Sequence, residues 1–325
     1  MKAIVQERFG PPDVLRLADA GVPEAGPGEV LIRVHAAGLN PYDWHMLRGD
    51  PRIVRLLGAT GLTRPKIRVA GIDAAGRVEA TGPGVRGVRP GDEVLGLCPG
   101  AFAEYALAKA DLMVPKPAAL TFEQAAAVPL AATSALRAIQ QVGGVRSGHR
   151  VLVNGAAGGV GTFAVQIAAA LGAEVTGVCS TRNVDLVRSL GAAHVVDYTA
   201  EDFTAGPARY DVILDNVGNR PLRRLRQALT PTGTLVFNAG GSPGHLIGAV
   251  GAGLRVAAVN GFARQRLRVM SFVQERSDLL AVTGLIEAGQ LTPVLDRTYP
   301  LAGTAEGLRY VEAGHARGKA IITME

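Results

Sequence analysis

Cysteine is nearly missing from this chain. Its 325 residues hold two, Cys98 and Cys179. Two cysteines cannot build a disulfide framework, and they fit a reducing compartment. They are also too few for a cysteine-rich zinc lobe. Lysine is scarce as well. Only Lys2, Lys66, Lys109, Lys116 and Lys319 occur, so arginine carries most of the positive side of a net charge of +6. Aromatic residues make up 5%, so no aromatic-rich basic stripe for nucleic acid accompanies the arginines. These are scattered, with local groups at Arg220, Arg223, Arg224, Arg226 and at Arg264, Arg266, Arg268. They read as solvated faces plus one anion-binding site. The N-terminal MKAIVQERFG lacks an apolar signal core, and the expected location is the cytoplasm. One stretch, Gly155 to Ala173, runs 19 residues without a charge. That length would allow a membrane span. Four glycines crowd its first seven residues, however, and a helix fits only from Gly159. A buried core helix is the better reading.

What is present points to a folded, two-domain chain. Hydrophobic residues make up 48% and charged residues 19%, which excludes intrinsic disorder. The length suits two domains. Glycine is abundant, 42 residues, but without a G-X-Y period. The glycines therefore serve turns and close backbone approaches.

The first third reads as β-rich. Lys2 to Gln6, Val14 to Leu17, Glu29 to Ala37, Arg77 to Ala80, Glu93 to Leu97 and Phe102 to Ala108 are short runs bounded by Gly and Pro. Asn40 to Arg48 has helical spacing. From Thr121 the rhythm changes. A helix over Thr121 to Ile139 is predicted, with Thr121 as N-cap and Gln124 completing a capping box. Strands at Arg150 to Asn154, Glu174 to Cys179, His194 to Asp197, Tyr210 to Asp215 and Thr234 to Asn238 follow. They are interleaved with helices at Gly159 to Leu171, Val184 to Leu190 and Pro221 to Leu229. This alternation implies a parallel, doubly wound α/β sheet. His245 to Gly261 reads as helix plus loop, and Arg266 to Val273 as a last strand. Helices at Asp278 to Ala288 and Thr304 to Ala313 and a strand at Lys319 to Thr323 complete the chain.

Two glycine runs compete as phosphate loops. Gly82-Pro83-Gly84-Val85-Arg86-Gly87 is a literal G-x-G-x-x-G, but Arg89-Pro90-Gly91-Asp92 follows and no helix starts there. Without a helix N-terminus there is no row of free N–H groups for a pyrophosphate. It reads as a turn. The second run is Ala156-Ala157-Gly158-Gly159-Val160-Gly161, with Ala156 in the first glycine slot. It follows the apolar Val151-Leu152-Val153 and opens a long helix, the context that dinucleotide binding requires. Gly158 lets the backbone approach a pyrophosphate, and Gly161 lets the helix pack on the sheet. Past these glycines, an NAD-binding chain usually places a carboxylate at the end of the second strand. Here the strand ends in Cys179-Ser180-Thr181-Arg182. Ser180 and Arg182 suit a 2′-phosphate, so NADPH is the expected cofactor.

Candidates for the chemistry are few. The six histidines, His35, His45, His149, His194, His245 and His315, form neither H-E-x-x-H nor a Cys/His ligand spacing, so no metal site is expected. Tyr105 to Lys109 is a Y-x-x-x-K, but it precedes the glycine loop in a strand-like stretch and reads as coincidence.

Several further motifs run through the chain. They are Ala37-Gly38-Leu39-Asn40-Pro41-Tyr42-Asp43, Val69-Ala70-Gly71-Ile72-Asp73 with Gly76-Arg77-Val78, and Pro90-Gly91-Asp92-Glu93-Val94. Ala126-Ala127-Val128-Pro129 with Thr133-Ser134-Ala135, Leu190-Gly191-Ala192 with Asp197-Tyr198, and the Gly318-Lys319 ending continue the pattern. With the glycine loop, this arrangement resembles the medium-chain dehydrogenase/reductase superfamily, in its zinc-free quinone oxidoreductase or zeta-crystallin-like branch. The resemblance implies a barrel-like, β-rich GroES-like catalytic domain at 1–121 and 276–325. A Rossmann NADPH-binding domain at 122–275 is inserted into it. It also implies NADPH, no metal and, commonly, a homodimer. The motifs do not specify the substrate, for which a small-molecule quinone or enone is expected. The residue content points to neither a nucleic-acid nor a membrane partner. Zinc-dependent members carry a cysteine where this chain has Asn40, and Gly-His-Glu where it has Gly71-Ile72-Asp73. By the same resemblance Asn40 lies near the nicotinamide, Thr133 near the cofactor and Tyr198 near the adenosine phosphate. Asn216-Val217-Gly218 and Asn238-Ala239-Gly240 end parallel strands, where ligands gather, so Asn216 and Asn238 should border the cofactor. Tyr42 and Asn40 are the leading catalytic donors, His45 a further polar group, and Trp44 either a pocket wall or a core aromatic.

The expected activity is NADPH-dependent, zinc-independent reduction of quinones or α,β-unsaturated carbonyls. Hydride addition to such acceptors spreads charge into an enolate, and hydrogen-bond donors then suffice in place of a Lewis acid. A metal-free alcohol or aldehyde dehydrogenase and a non-enzymatic NADPH-binding sensor or nucleic-acid-binding protein are the alternatives.

Overall fold

The computed structural model describes residues 1–50, 61, 64–207, 209–238, 264–270 and 275–324. The segment expected as helix plus loop at 245–261 and the end of the strand expected at 266–273 lie outside them, as do Ala239 and Gly240. The chain divides into two units. Unit 1 is Met1–Thr133, Gln274–Gly289 and Pro293–Glu325; unit 2 is Ser134–Val273 and Gln290–Thr292.

Unit 1 is built around β3 (Glu29–Gly38), which is buried along most of its length and exposes only Arg33. β3 pairs antiparallel with β4 (Asp73–Thr81) and, through its first half, with β6 (Tyr105–Lys109). β5 (Glu93–Leu97) and β7 (Met113–Pro115) extend the sheet beyond β4. β15 (Lys319–Thr323) pairs with the far end of β3, and β14 (Leu295–Pro300) runs parallel to β15. The seven strands wrap a core that includes Ile32, Val34, Phe102, Met113 and Ile322. β1 (Lys2–Val5) and β2 (Arg16–Asp19) form a separate ribbon. Gly76 must be glycine, since a Cβ there would sit 2.2 Å from the Arg33 carbonyl oxygen. The sheet therefore turns with a close backbone approach at this point.

The helix predicted over Thr121 to Ile139 is not continuous. Its start is as expected: the Gln124 N–H donates to Thr121 Oγ1 at 3.2 Å, and the Thr121 N–H donates to Gln124 Oε1 at 3.0 Å. But α2 (Phe122–Ala126) ends before Pro129, which opens α3 (Pro129–Leu136). Proline has no N–H to continue α2, and its ring crowds the preceding turn. A π-helical stretch, Arg137–Val142, follows. Thr133 closes the first part of unit 1, so the division falls at 133/134 rather than at 121/122.

Unit 2 carries a six-stranded, all-parallel sheet in the order β10-β9-β8-β11-β12-β13. The strands are β8 (Arg150–Asn154), β9 (Glu174–Cys179), β10 (His194–Asp197), β11 (Tyr210–Asp215), β12 (Leu229–Phe237) and β13 (Arg266–Val269). The order steps one way from β8 to β10 and the other way from β11, which places a topological switch point beside β8. α4 (Gly159–Ala170) is apolar on almost every side and buried along most of its length. Among the described residues no helix is long and apolar enough to cross a membrane.

The decoy glycine run is a turn. Gly84 and Gly87 have positive φ, and the Gly82 N–H donates to the Glu29 carbonyl oxygen at 2.8 Å. Tyr105 and Lys109 lie on β6, and Lys109 pairs with Glu29 at 2.9 Å on the surface.

Candidate functional site

In unit 2 the second glycine run joins β8 to α4. The residue that makes the tight turn is Gly155, with φ +78°. That frees the next slot, and Ala156 occupies it with ordinary φ, fully buried. Gly158 caps α4 without any side-chain hydrogen bond. The first helical bond is the Thr162 N–H to the Gly158 carbonyl oxygen, 2.9 Å. The N–H groups of Gly159, Val160 and Gly161 thus have no intrahelical partner and form the positive end of the helix dipole.

The glycines of the run differ in kind. A Cβ on Gly158 would meet only the Gly155 carbonyl oxygen, at 3.5 Å, so it would project into open space. A Cβ on Gly161 would lie 2.0 Å from that same oxygen and 2.8 Å from Ala156 Cα. Gly161 is demanded by packing. Nothing in the protein's own packing demands glycine at Gly158, and bare backbone beside free N–H groups is the cradle that a pyrophosphate takes.

The end of β9 lies beside the end of β10. The Tyr198 N–H donates to the Cys179 carbonyl oxygen at 3.1 Å. Ser180 and Tyr198 are therefore brought to one corner, with Arg182 exposed in the short 3₁₀ turn that follows. Ser180 Oγ accepts from Asn183 Nδ2 at 3.2 Å. Asp197, which sequence reasoning had not selected, accepts from Thr181 Oγ1 at 2.5 Å and from the Thr199 N–H at 2.9 Å. The Thr181 and Thr199 hydrogen bonds hold its carboxyl below the usual range.

At the carboxyl ends of β8, β11 and β12 a network of amides surrounds Asp215. Asp215 Oδ1 accepts from Asn154 Nδ2 at 2.8 Å and from the N–H groups of Val217 and Gly218 at 3.1 and 2.9 Å. Asn216 Nδ2 donates to the Asn154 carbonyl oxygen at 3.1 Å, and Asn238 Nδ2 donates to Asn216 Oδ1 at 2.8 Å. Asn216 and Asn238 stand where the strand ends placed them, and they brace one another. Asp215 and Asn154 organise this rim and were missed. A carboxylate closing the apolar run Val212-Ile213-Leu214 was the available signal.

In unit 1 the segment Asn40 to Asp43 opens α1 (Pro41–Arg48). Asp43 Oδ2 accepts from the Asn40 N–H at 2.8 Å. Asn40 Nδ2 donates to the Gly38 carbonyl oxygen at 3.2 Å and to Asp73 Oδ2 at 3.0 Å. Both amide hydrogens are thereby engaged within the protein. This corrects the reading of Asn40 as a donor free for a ligand: it is a buried brace. Lys319 Nζ donates to Asn40 Oδ1 and to the Leu39 carbonyl oxygen at 3.0 Å. Its nitrogen lies 3.5 Å from Asp73 Oδ2. Burial pushes Asp73 up and Lys319 down, and each partner opposes the other's shift. Asp43 is pushed up to about 7 by burial and then by the charge of Asp73.

Tyr42 is half-buried and packs against Ile72, Leu97 and Leu130. Burial, then the neighbouring Asp43, raises its phenol above the ordinary value. Thr133 is buried in α3, where its hydroxyl donates to the Pro129 carbonyl oxygen at 2.6 Å. Trp44 is a core aromatic rather than a pocket wall; it belongs to the unit 1 core and stacks on His45, with ring centroids 3.6 Å apart. Among the described residues no group of three or more His, Cys, Asp or Glu could hold a metal ion. Both cysteines are buried, and burial pushes their thiols up to about 12 and about 11.

Residues 26–118 match a family model described as alcohol dehydrogenase GroES-like domain, and residues 190–322 match one described as zinc-binding dehydrogenase. The chain is 35% identical over 360 residues to the mitochondrial NAD(P)H oxidoreductase RTN4IP1 of Bos taurus, covering all of this chain and 89% of that one. It is 32% identical to the chloroplastic NADPH-dependent alkenal/one oxidoreductase of Arabidopsis thaliana, covering 99% of this chain and 79% of that one. The solved structure of the quinone oxidoreductase from Coxiella burnetii is similar with a TM-score of 0.85 and 31% identity, covering 100% and 99% of the two chains. A GroES-like unit and a parallel Rossmann sheet, matched end to end at this identity, identify the chain as a member of the medium-chain dehydrogenase/reductase superfamily, in its quinone oxidoreductase branch.

Proposed function

We propose that this enzyme uses NADPH, held by unit 2, to reduce conjugated acceptors, either quinones or α,β-unsaturated carbonyls, without a metal. The observation that carries the cofactor reading is the open space beside Gly158 at the uncapped N-terminus of α4. The residues present fit the group. Gly158, Gly159, Val160 and Gly161 would hold the pyrophosphate, and Ser180, Arg182 and Tyr198 the 2′-phosphate corner. When bound, NADPH supplies the hydride.

The protein's own part is to stabilise the charge that develops on the acceptor. With both amide hydrogens of Asn40 engaged by Gly38 and Asp73, the donor role falls to Tyr42, half-buried on the same turn. Its phenol stays protonated across the working range, because burial raises its pKa further. Hydrogen-bond donation from a neutral phenol suits an enolate or a hydroquinone anion, whose charge is delocalised; charge localised on one carbonyl oxygen usually calls for a closely positioned acid or a metal. The names of the similar proteins, an alkenal/one oxidoreductase and a quinone oxidoreductase, support this acceptor class. Location in the cytoplasm and assembly as a homodimer belong to the same proposal, the latter checked by light scattering of the purified protein.

The test compares kcat/KM for an enone, a quinone and the matching saturated ketone, using deuterium-labelled NADPH. Label at the β-carbon of the reduced enone is expected. Label at the carbonyl carbon, with the saturated ketone preferred, would favour a metal-free alcohol dehydrogenase. Tight NADPH binding without oxidation by any acceptor would favour a binding protein.

A further inference from the structure

Asp73 and Lys319 sit in the interior of unit 1, at 0% and 3% exposure, and the proposed reaction gives them no part. Buried ion pairs seldom stabilise a fold more than apolar residues of the same shape would. Their hydrogen bonds indicate what else the pair does. The three ammonium hydrogens of Lys319 face three acceptors: the Leu39 carbonyl oxygen, Asn40 Oδ1 and Asp73 Oδ2. Asp73 Oδ2 also accepts from Asn40 Nδ2, and Asp73 Oδ1 accepts from the Leu130 N–H at 3.1 Å. One strand, β15, is thus tied to the turn that starts α1 and, through Asp73, to the first turn of α3.

The same hub reaches the apolar cluster on which Tyr42 packs. Ile72 precedes Asp73 in the chain. Leu97 is the cross-strand partner of Asp73 in the β4–β5 register. Leu130 donates its N–H to Asp73. These three are the apolar residues against which Tyr42 packs. The turn that carries Tyr42 is held at its other end by Asn40, bonded to Lys319 and to Asp73.

We propose that the Asp73–Lys319 pair is a positioning device for Tyr42, fixing both the turn that carries the phenol and the walls it rests against. The pair touches neither acceptor nor cofactor and acts through Tyr42. This inference rests on the proposed reduction of conjugated acceptors.

A double-mutant cycle separates positioning from general support of the fold. Lys319→Met is made in the wild-type and in the Tyr42→Phe background, and kcat with an enone, NADPH Kd and thermal midpoint are measured. A positioning residue cannot cost more than the group it positions. Tyr42→Phe is expected to lower kcat roughly tenfold, for a modest general-acid or orienting role. Lys319→Met should therefore lower kcat by up to the same factor in the wild-type background. In the Tyr42→Phe background it should change kcat less than about twofold, with NADPH Kd unaltered in both. Because Lys319→Met leaves two buried carboxylates without a cation, Asp73→Asn/Lys319→Gln is the second variant. It removes both charges and keeps similar shapes, and it goes through the same cycle. Equal losses in the two backgrounds, or failure of both variants to fold, would assign the pair to stability alone and overturn the proposal. A wild-type enzyme that oxidises NADPH with no conjugated acceptor would instead overturn the reaction on which it rests.

Discussion

Replacing Asp43 with asparagine should reshape the pH dependence of stability. Asp43 is buried, and its pKa is raised from an ordinary 3.8 to about 7 by burial and by Asp73. The folded state therefore binds a proton that the unfolded state releases at lower pH. Stability contributed by this proton is complete below about pH 4 and is lost as pH rises towards 7. Three pKa units correspond to about 4 kcal/mol over the whole window, of which about 3 kcal/mol falls between about pH 5 and about pH 8. That is a large share of the 5–15 kcal/mol that typically holds a fold together. Asparagine has the same shape, and its carbonyl oxygen can still accept the Asn40 N–H that Asp43 Oδ2 accepts at 2.8 Å. It cannot ionise, so the loss should vanish. The readout is built in. The chain has one tryptophan, Trp44, buried in the core of unit 1 next to Asp43. Its fluorescence reports unfolding of that unit separately from unit 2, which matters because a chain of two units need not unfold in one step. Urea titrations of both proteins at about pH 5 and about pH 8 should show Asp43→Asn gaining about 3 kcal/mol relative to wild type on going to the higher pH. A constant difference between the two proteins across that range would refute the reasoning. It would mean that Asp43 is already ionised in the fold at low pH.

The glycine run offers a contrast between neighbours. Gly158→Val should weaken NADPH at least tenfold in a fluorescence titration while leaving the thermal midpoint in place, because the added side chain enters the cradle and not the protein. Gly161→Ala should destabilise unit 2 itself, since its Cβ would collide with the Gly155 carbonyl oxygen. Gly84→Val strains a turn at φ +81°, at a cost of about 1–3 kcal/mol, and should leave NADPH affinity intact. Arg182→Ala should weaken NADPH by roughly ten- to hundredfold, the equivalent of one charge-assisted hydrogen bond. It should leave NADH nearly unchanged in parallel titrations, whereas equal losses would make Arg182 structural. Elemental analysis should find well under one zinc per chain, and chelators should leave turnover intact; stoichiometric, tightly held zinc would remove the metal-free mechanism.

Much of unit 2 was legible because its signals are local. The short apolar runs Val151 to Val153 and Val212 to Leu214, rich in β-branched residues, read as strands buried on both faces, and they emerge as β8 and β11. A glycine-rich turn between such a strand and an apolar helix marks the loop. Its detail was less legible. The pattern assigns the tight turn to the slot that Ala156 fills, whereas the chain makes that turn one residue earlier, at Gly155. The tail of unit 1 was harder. β14, Leu-Asp-Arg-Thr-Tyr-Pro, has little alternation, because it is an edge strand paired on one side by β15. The continuous helix expected across Pro129 gave weight to apolar spacing over the break that proline imposes.

The polar hub of unit 1 was illegible for a different reason. Asn40, Asp73 and Lys319 are separated by 33 and then 246 residues in the chain, so no spacing rule joins them. Each does leave a trace that can be read alone. Asp73 is a single charge inside the otherwise uncharged run Ala70 to Ala75, and Lys319 is a single charge at the edge of the apolar run Ala320 to Ile322, in a chain with five lysines. A lone charge entering a buried strand must find a partner or lose its charge. Two such charges of opposite sign in one chain are therefore candidates for each other, and the motif residue Asn40 is where they meet. Asn40, selected by its place in the motif as a donor to the acceptor, has both amide hydrogens taken up by Gly38 and Asp73. An amide whose two hydrogens bond a carboxylate and a carbonyl, and whose oxygen accepts from an ammonium, has its orientation fixed. Under the proposed reaction the proton-donating duty falls to Tyr42, two residues along the same turn, and its walls Ile72, Leu97 and Leu130 are the residues through which the hub would act on it.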